Sequence, residues 1–466
     1  MRGLTRRWIG PGNSEVTEGF SLVERVIRAR GLGGEGRAGA LLSKPMLGQL
    51  HPPAELPGAD DVALHLVAAI RGGKRIALYG DYDADGVTSL AVLWHVLRAV
   101  DPTVSIELFA PSRFEHGYGL NSDVLRQMHE RGIQTVVTVD CGITAIEPAR
   151  VARDLGLQLL ITDHHATEPG VDGTVTLPDA DAIAHPALPG ARAPFTELCG
   201  AAVAFKVASR FAVHWYGGDR VPERMQAVMA SVVPLVALGT VADVVPLVDE
   251  NRIFASVGLR TMQTSGLPGL RALLDDSELN EGRVVNAEHI AFRLAPRLNA
   301  IGRLGHAAEA VELLTTADEA RARVIAAALA KHNVRRRAIE LDIFQRAVAV
   351  VEADPALLSA RAIVLADEAW HEGVVGVVCS KMVERYGKPV LLLCARPDGT
   401  MKGSGRSVDG FDLVSAVRAC SQHLTSCGGH AAAVGLTVRA GAWNDFAQAF
   451  MCHCASAITA EQLVPT

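Results

Sequence analysis

No uninterrupted apolar run of the ~18 residues needed to span a bilayer stands in this sequence. The most apolar stretch, Val232 to Val248, is broken by Pro234, Asp243 and Pro246, so it reads as a buried element and no membrane association is expected. Met1 to Gly10 carry three arginines with no apolar run after them, and no secretory signal is expected. Paired cysteines are also missing. The eight present, Cys141, Cys199, Cys379, Cys394, Cys420, Cys427, Cys452 and Cys454, form no CxxC and no regular framework. That excludes a disulfide-stapled fold and points to reduced thiols in a cytoplasmic protein. Cys452-His453-Cys454 is a local grouping of metal-binding residue types, with surface decoration as its plainer reading. Basic residues are not in excess. A net charge of −6 argues against coating nucleic acid by bulk charge but allows a local basic groove. Some familiar motifs fail as well. No GxxxxGK[ST] occurs, and His371-Glu372 meets Val375 where a zinc-protease helix needs histidine. Gly31-Leu-Gly-Gly-Glu-Gly36 fits GxGxxG, but no strand precedes it and it reads as a loop.

What is present is an α/β pattern. The 466 residues exceed the ~250–300 at which a single core stops growing, so at least two domains are expected. Ile76 to Tyr79, Thr135 to Val139 and Leu159 to Ile161 are strand candidates, and Val87 to Val100 is an apolar-faced helix. Strands alternating with helices imply a mostly parallel sheet. Residues 317–352 contain no Pro or Gly and read as one long helix bridging two domains. The strand–helix pattern then restarts with Ala362 to Leu365, Val374 to Tyr386 and Val390 to Leu393, and a domain boundary is expected near residue 350.

Each of the first three strands runs straight into Asp81, Asp140 or Asp163, where parallel sheets bind their ligands. Asp81-Tyr-Asp-Ala-Asp-Gly86 sets three carboxylates at alternate positions, which converge only if the chain turns sharply, as Gly86 allows. Hard cations such as Mg²⁺ or Mn²⁺ take oxygen ligands of this kind. A calcium loop would need a closing glutamate, and Val-Thr-Ser-Leu-Ala-Val follows Gly86 instead. A solvated acidic turn is the plainer alternative. Asp163-His164-His165 adds imidazole, which favours Mn²⁺ or another transition ion. Asp243 stands inside an apolar segment, where an unpartnered charge costs roughly several kcal/mol, so it should be paired or metal-bound. Together these groups could hold two metals about 3.5–4 Å apart, which activate water and neutralise a phosphoryl oxygen in phosphodiester hydrolysis.

Asp81-Tyr-Asp-Ala-Asp-Gly, Val139-Asp-Cys-Gly, Asp163-His-His and Gly239-Thr-Val-Ala-Asp resemble, in order, the four motifs of the DHH phosphoesterase superfamily. Ala295-Pro-Arg-Leu-Asn-Ala-Ile-Gly-Arg303, Trp370-His-Glu-Gly-Val-Val-Gly376, Lys402-Gly-Ser-Gly-Arg-Ser407 and Gly428-Gly-His430 look like its RecJ family in particular. The resemblance covers about residue 45 to about residue 440, nearly the whole chain.

It implies a parallel-sheet DHH domain and a smaller DHH-associated domain, joined by a long helix with a cleft between them. The implied bounds are an N-terminal extension over 1–50, the catalytic domain over 51–260, a helical region with the linking helix over 261–350, and the substrate-binding domain over 351–466. It further implies a two-metal Mn²⁺ or Mg²⁺ exonuclease that degrades single-stranded DNA from the 5′ end in repair and recombination. A single-strand-binding protein and other repair proteins are the implied partners.

By the same resemblance Asp83, Asp85, Asp140, His164 and Asp243 are metal ligands, with Asp140 bridging and Asp81 a further ligand or orienting group. Asp163 would orient His164, and His165 would face the scissile phosphate. Arg297, Asn299 and Arg303 would reach the DNA. Ser404 and Arg406 would bind phosphate, helped by small residues that let backbone N–H groups approach, with Gly428, Gly429 and His430 beside them. Arg335-Arg-Arg337 reads instead as a solvated helix face.

Two features depart from the family. Ala184-His-Pro186 stands where its members commonly have Asn-Pro, and the chain shows no room for their additional OB-fold. With only 5% aromatic residues, weaker binding of long single strands is expected. The rival readings are a short-oligonucleotide or cyclic-dinucleotide phosphodiesterase and a non-catalytic nucleic-acid-binding scaffold.

Overall fold

In the first sheet β1 (Ile76–Gly80), β2 (Ile106–Phe109), β3 (Thr135–Val139), β4 (Gln158–Thr162) and β5 (Ala182–Ala184) are all parallel, in the order β2-β1-β3-β4-β5. β1 and β3 are buried along their whole length, as continuous aliphatic runs are when helices cover both faces. On one face Tyr79, Val136 and Ile161 pack with Val124, Leu125 and Met128 of the Ser122–Glu130 helix. On the other, Leu78, Val137 and Leu160 join the helices Ala59–Arg71, Ala84–Val100, Gly200–Tyr216 and Glu223–Ala242. Each large aliphatic side chain buried there contributes about 1.5–3 kcal/mol.

This computed structural model describes residues 21–29, 43–112, 117, 119–167, 174–218, 220–280, 282–305, 307–459 and 462–463. Met1 to Gly10 and the Gly31 to Gly36 loop lie outside the described residues. The chain packs as two compact units, one of residues 44–333 and one built on residues 334–466, and the division falls inside the 35-residue helix Glu319–Ala353. The helix Glu223–Ala242 is long and apolar enough to cross a membrane by composition, yet 67% of its most apolar window is buried in the protein. It is a core helix.

The second unit carries β6 (Ile363–Asp367), β7 (Val390–Ala395), β8 (Met401–Arg406), β9 (Leu424–His430) and β10 (Ala433–Val438), in the order β6-β7-β8-β10-β9. Only the β6–β7 pair is parallel. The glycine-rich 403–407 segment, read in the sequence as a phosphate-friendly stretch, is therefore a central strand. Its backbone is paired with β7 on one side and β10 on the other, so its ladder amides are not available to a ligand. The glycines there answer to packing. A Cβ on Gly403 would fall 2.1 Å from the Leu392 carbonyl oxygen, and one on Gly405 would fall 2.3 Å from Leu391 Cδ2.

Candidate functional site

Three strand ends and one helix end deliver polar residues to the carboxyl edge of the first sheet. Asp81 follows β1, Asp140 follows β3, and Asp163, His164 and His165 follow β4. Asp243 caps the C-terminus of the Glu223–Ala242 helix. β1 lies between β2 and β3, so Asp81 and Asp140 flank the point where the strand order reverses. Open α/β sheets bind ligands at that crevice.

Local capping explains how the carboxylates are aimed. Asp83 is the N-cap of the Ala84–Val100 helix, its Oδ1 accepting from the N–H groups of Asp85 at 2.9 Å and Gly86 at 3.0 Å. Asp85 reaches a second helix and accepts from the N–H of Gly200 at 2.6 Å and of Ala201 at 3.0 Å. A carboxylate thus sits on the positive end of the Gly200–Tyr216 helix. Gly86 is itself helical. A Cβ there would fall 2.5 Å from the Asp81 carbonyl oxygen, so close approach of strand end and helix explains this glycine rather than the turn expected from sequence.

Asp140 has φ 62°, a left-handed backbone that Asp tolerates better than most residues and that still costs of order 1 kcal/mol. Val244, next to Asp243, has φ 64°. Asn251 braces that turn, its Nδ2 donating to the carbonyls of Glu197 at 2.5 Å and Pro246 at 3.0 Å. The bond ties the segment before Gly200 to the segment after Asp243.

Ligand-type atoms of Asp81, Asp83 and Asp140 all lie within 4.8 Å of one another, as do those of Asp85, His164 and Asp243. Asp140, His164 and His165 form a third such group that joins them. His164 Nε2 is 3.1 Å from Asp140 Oδ1, 3.7 Å from Asp243 Oδ2 and 3.8 Å from Asp85 Oδ2. Crowding shows in the proton affinities. Burial, then the charges of Asp85, Asp83 and Asp81, push the Asp140 carboxyl well above the usual range. Burial, then Asp85 and Asp83, push Asp243 up to about 8. Burial holds the His164 imidazole below its ordinary value, in the neutral form. Asp140 Oδ1 and His164 Nε2 are both buried without a hydrogen bond. Carboxylate oxygens and a neutral imidazole nitrogen converging in this way fit a divalent cation, with the nitrogen favouring Mn²⁺.

Asp163 has a different task from the one expected. Its Oδ1 accepts from His165 Nδ1 at 2.7 Å and from the N–H groups of His164 at 2.7 Å and His165 at 3.1 Å, and its Oδ2 accepts from Ile143 N–H at 2.9 Å. It therefore meets the His165 ring, and it holds His164 by its backbone N–H. Burial opposes its ionisation, but the His165 bond and charge, the Ile143 N–H and the His164 charge together hold Asp163 down at about 2. Burial likewise disfavours a charged His165, yet the Asp163 bond together with the Asp163, Asp243 and Asp81 charges carries that imidazole up to about 9. In the metal-free protein these contacts favour the charged imidazolium.

The Arg297 guanidinium and the Asn299 side-chain oxygen, expected to reach DNA, are engaged inside the protein. The Arg297 guanidinium pairs with Asp276 at 3.1 Å and donates to the Arg293 carbonyl at 2.7 Å. Asn299 Oδ1 accepts from Ala84 N–H at 2.7 Å, which satisfies an early helix donor beside Asp83. Gly302 passes close to Tyr82, where a Cβ would fall 2.8 Å from its carbonyl oxygen. The Ala295–Leu304 helix is thus the brace of the Asp81–Asp85 loop, and the half-buried Arg303 lies near its end. Asn299→Ala is expected to cost about 1–3 kcal/mol by leaving the Ala84 donor buried and unmet. Urea unfolding of the metal-free protein reads this, and an unchanged midpoint would show the bond contributes nothing.

In the second unit Ser404 is buried on β8, and the half-buried Arg406 ends that strand. Gly428, Gly429 and His430 are exposed on β9, the strand at the sheet's edge. Cys452, His453 and Cys454 sit consecutively on the Trp443–Ala457 helix and point about 100° apart, with Cys454 in the core, so they do not converge on one ion. Sequence reasoning missed Gly200, Asn251 and the internal use of Asn299. Their importance lies in contacts across long chain separations, which no local pattern announces.

The DHH family N-terminal domain matches residues 75–240, and the DHHA1 domain matches residues 358–454. The chain is 40% identical to the single-stranded-DNA-specific exonuclease RecJ of Bacillus subtilis over 391 residues, covering 84% of this chain and 47% of that one. It is 36% identical to RecJ of Escherichia coli over 441 residues, covering 92% of this chain and 74% of that one. A crystal structure of exonuclease RecJ bound to manganese superposes with a TM-score of 0.73 at 33% identity, covering 89% of this chain and 97% of that one.

Proposed function

The chain belongs to the RecJ family of DHH phosphoesterases, and on that footing we propose that it is a metal-dependent exonuclease that hydrolyses single-stranded DNA from the 5′ end. It spans about half the length of the Bacillus subtilis relative and about three quarters of the Escherichia coli one. One observation carries the reading: two groups of potential ligand atoms, linked through Asp140 and His164, at the reversal point of a parallel sheet.

Asp81, Asp83 and Asp140 would hold one Mn²⁺ or Mg²⁺ ion and Asp85, His164 and Asp243 the other, with Asp140 within reach of both. Ions bound there supply a nucleophile from water at neutral pH and neutralise charge on the phosphoryl oxygens. The chain's own groups do the rest. His165, charged and aimed by Asp163, donates a hydrogen bond to a phosphate oxygen as negative charge builds there. Arg303 supplies a phosphate contact near the loop it borders, whereas Arg297 and Asn299 shape that loop. Ser404, Arg406, Gly428, Gly429 and His430 form the substrate-binding surface of the second unit. DNA repair and recombination is the process proposed, in the cytoplasm, with single-stranded DNA as substrate and a single-strand-binding protein among the partners.

The test is Mn²⁺-dependent digestion of 5′- and 3′-labelled single- and double-stranded DNA. Mononucleotides released from the 5′ end of single strands alone support the reading. Intact long strands with rapid cleavage of di- to pentanucleotides would replace it with an oligonucleotide phosphodiesterase.

A further inference from the structure

We propose that His185 is a positioning residue for His165, holding that histidine by its backbone carbonyl. The proposal rests on the exonuclease reading only for the role of His165, and its geometry stands without it. His185 follows β5, the neighbour of β4, and is 1% exposed. Its backbone N–H donates to the Pro57 carbonyl at 3.1 Å, and its ring faces the segment that leaves β4.

The ring's two nitrogens have different partners, and together these fix its protonation. Ala187 N–H lies 3.0 Å from Nδ1, so Nδ1 must be the acceptor. The proton of the neutral ring is then on Nε2, which lies 2.9 Å from the His165 carbonyl oxygen and donates to it. Both bonds are satisfied in a single tautomer.

The β4–β5 ladder continues past its last paired residues with Asp163 N–H donating to the Ala184 carbonyl at 3.2 Å. Beyond that point His164 and His165 leave the sheet, and their backbone is held by side chains. Asp163 takes the N–H and the ring of His165, and His185 takes its carbonyl. The His165 side chain is 38% exposed, so packing alone does not fix its direction. Without the His185 bond the 165–166 peptide can rotate, and the imidazole turns with it about the Asp163 contact. A misplacement of about 1 Å at a catalytic group is enough to cost roughly 10²-fold in rate.

The experiment compares His185→Leu and His185→Gln with the wild type, using kcat on 5′-labelled single strands at saturating Mn²⁺, Mn²⁺ affinity by calorimetry, and Tm. A glutamine amide reaches where Nε2 stands and can donate to the same carbonyl, whereas leucine cannot. The leucine variant is expected to lose about 10–100-fold in kcat with Mn²⁺ affinity unchanged, as for other groups that orient a site residue. The glutamine variant is expected to recover most of that loss. Wild-type kcat in the leucine variant, or equal impairment of both variants, would overturn the proposal.

If the leucine variant fails to fold, Ala187→Pro takes its place, since it deletes the N–H that locks Nδ1 at an exposed turn. It is expected to lower kcat without altering Mn²⁺ binding, and an unchanged kcat counts against the proposal. A readout free of activity comes from ¹⁵N-histidine NMR of the metal-free wild type. One resonance set, absent in His185→Gln, is expected in the neutral Nε2–H form, and an Nδ1–H form or a cation there would overturn the assignment. Should wild-type protein digest no DNA while this tautomer is found, the exonuclease reading fails and the geometry of His185 does not.

Discussion

Asp140→Asn is expected to lower Mn²⁺-dependent digestion of single-stranded DNA by about 10³-fold or more, because the proposed shared metal ligand would support several kcal/mol of charge stabilisation. The same change is expected to make the metal-free protein more stable. Asparagine keeps the shape and accepts the left-handed backbone at φ 62°. It removes a charge that burial and Asp85, Asp83 and Asp81 all oppose.

The pH dependence follows from the same crowding. A carboxyl whose folded pKa lies above its unfolded value holds its proton more tightly in the fold, so its contribution is present at low pH and lost as pH rises. For Asp243 that loss runs from about 4, the unfolded value, to about 8. Metal-free wild type should therefore lose stability across that range, with Asp140→Asn losing less of it. Activity within tenfold of wild type, or a lower Tm for the metal-free variant, would contradict the assignment of Asp140.

Gly200→Ala is expected to weaken Mn²⁺ binding about 10–100-fold, the usual cost of disturbing groups that orient ligands. A Cβ at this position would fall 2.5 Å from Asp140 Oδ1, and the Gly200 N–H is also the 2.6 Å donor to Asp85. One methyl group therefore displaces a carboxylate of each group of ligand atoms. Gly239 presses on the opposite side, where a Cβ would fall 2.3 Å from Asp85 Oδ1 and 2.6 Å from Thr88 Oγ1. Overpacking of this kind costs about 1–3 kcal/mol, so Tm should fall as well. Calorimetric titration with Mn²⁺ decides between the two effects. Unchanged affinity with a lowered Tm would make Gly200 a packing residue alone.

The candidate site residues were legible because each breaks a local rule. Asp81, Asp140 and Asp163 end strongly apolar strands, and Asp243 sits within an apolar helix end, where a charge demands a reason. β2 and β5 were not legible: the first is four half-buried residues, Ile-Glu-Leu-Phe, and the second is only three residues long. β8 was hidden by its own glycines, which mark loops far more often than central strands. Sequence order offers no way to tell which of two adjacent rings curls back onto Asp163, and the structure pairs it with the His165 ring. Arg297 and Asn299 were taken for substrate contacts since nothing local reveals Asp276 or the Ala84 N–H as their partners.

The spread of the ligand residues along the chain also sets the order of events during folding. Asp81 and Asp243 are delivered by the first strand and by the Glu223–Ala242 helix, and the N–H groups that hold Asp85 come from residues 200 and 201. Parallel strands must wait for their crossover segments, so contacts of this sequence separation form late and slowly. A chain still emerging from synthesis therefore carries scattered aspartates and no assembled centre until past residue 243. Chains that stop short of residue 243 lack Asp243 and so have one of the two groups of ligand atoms incomplete.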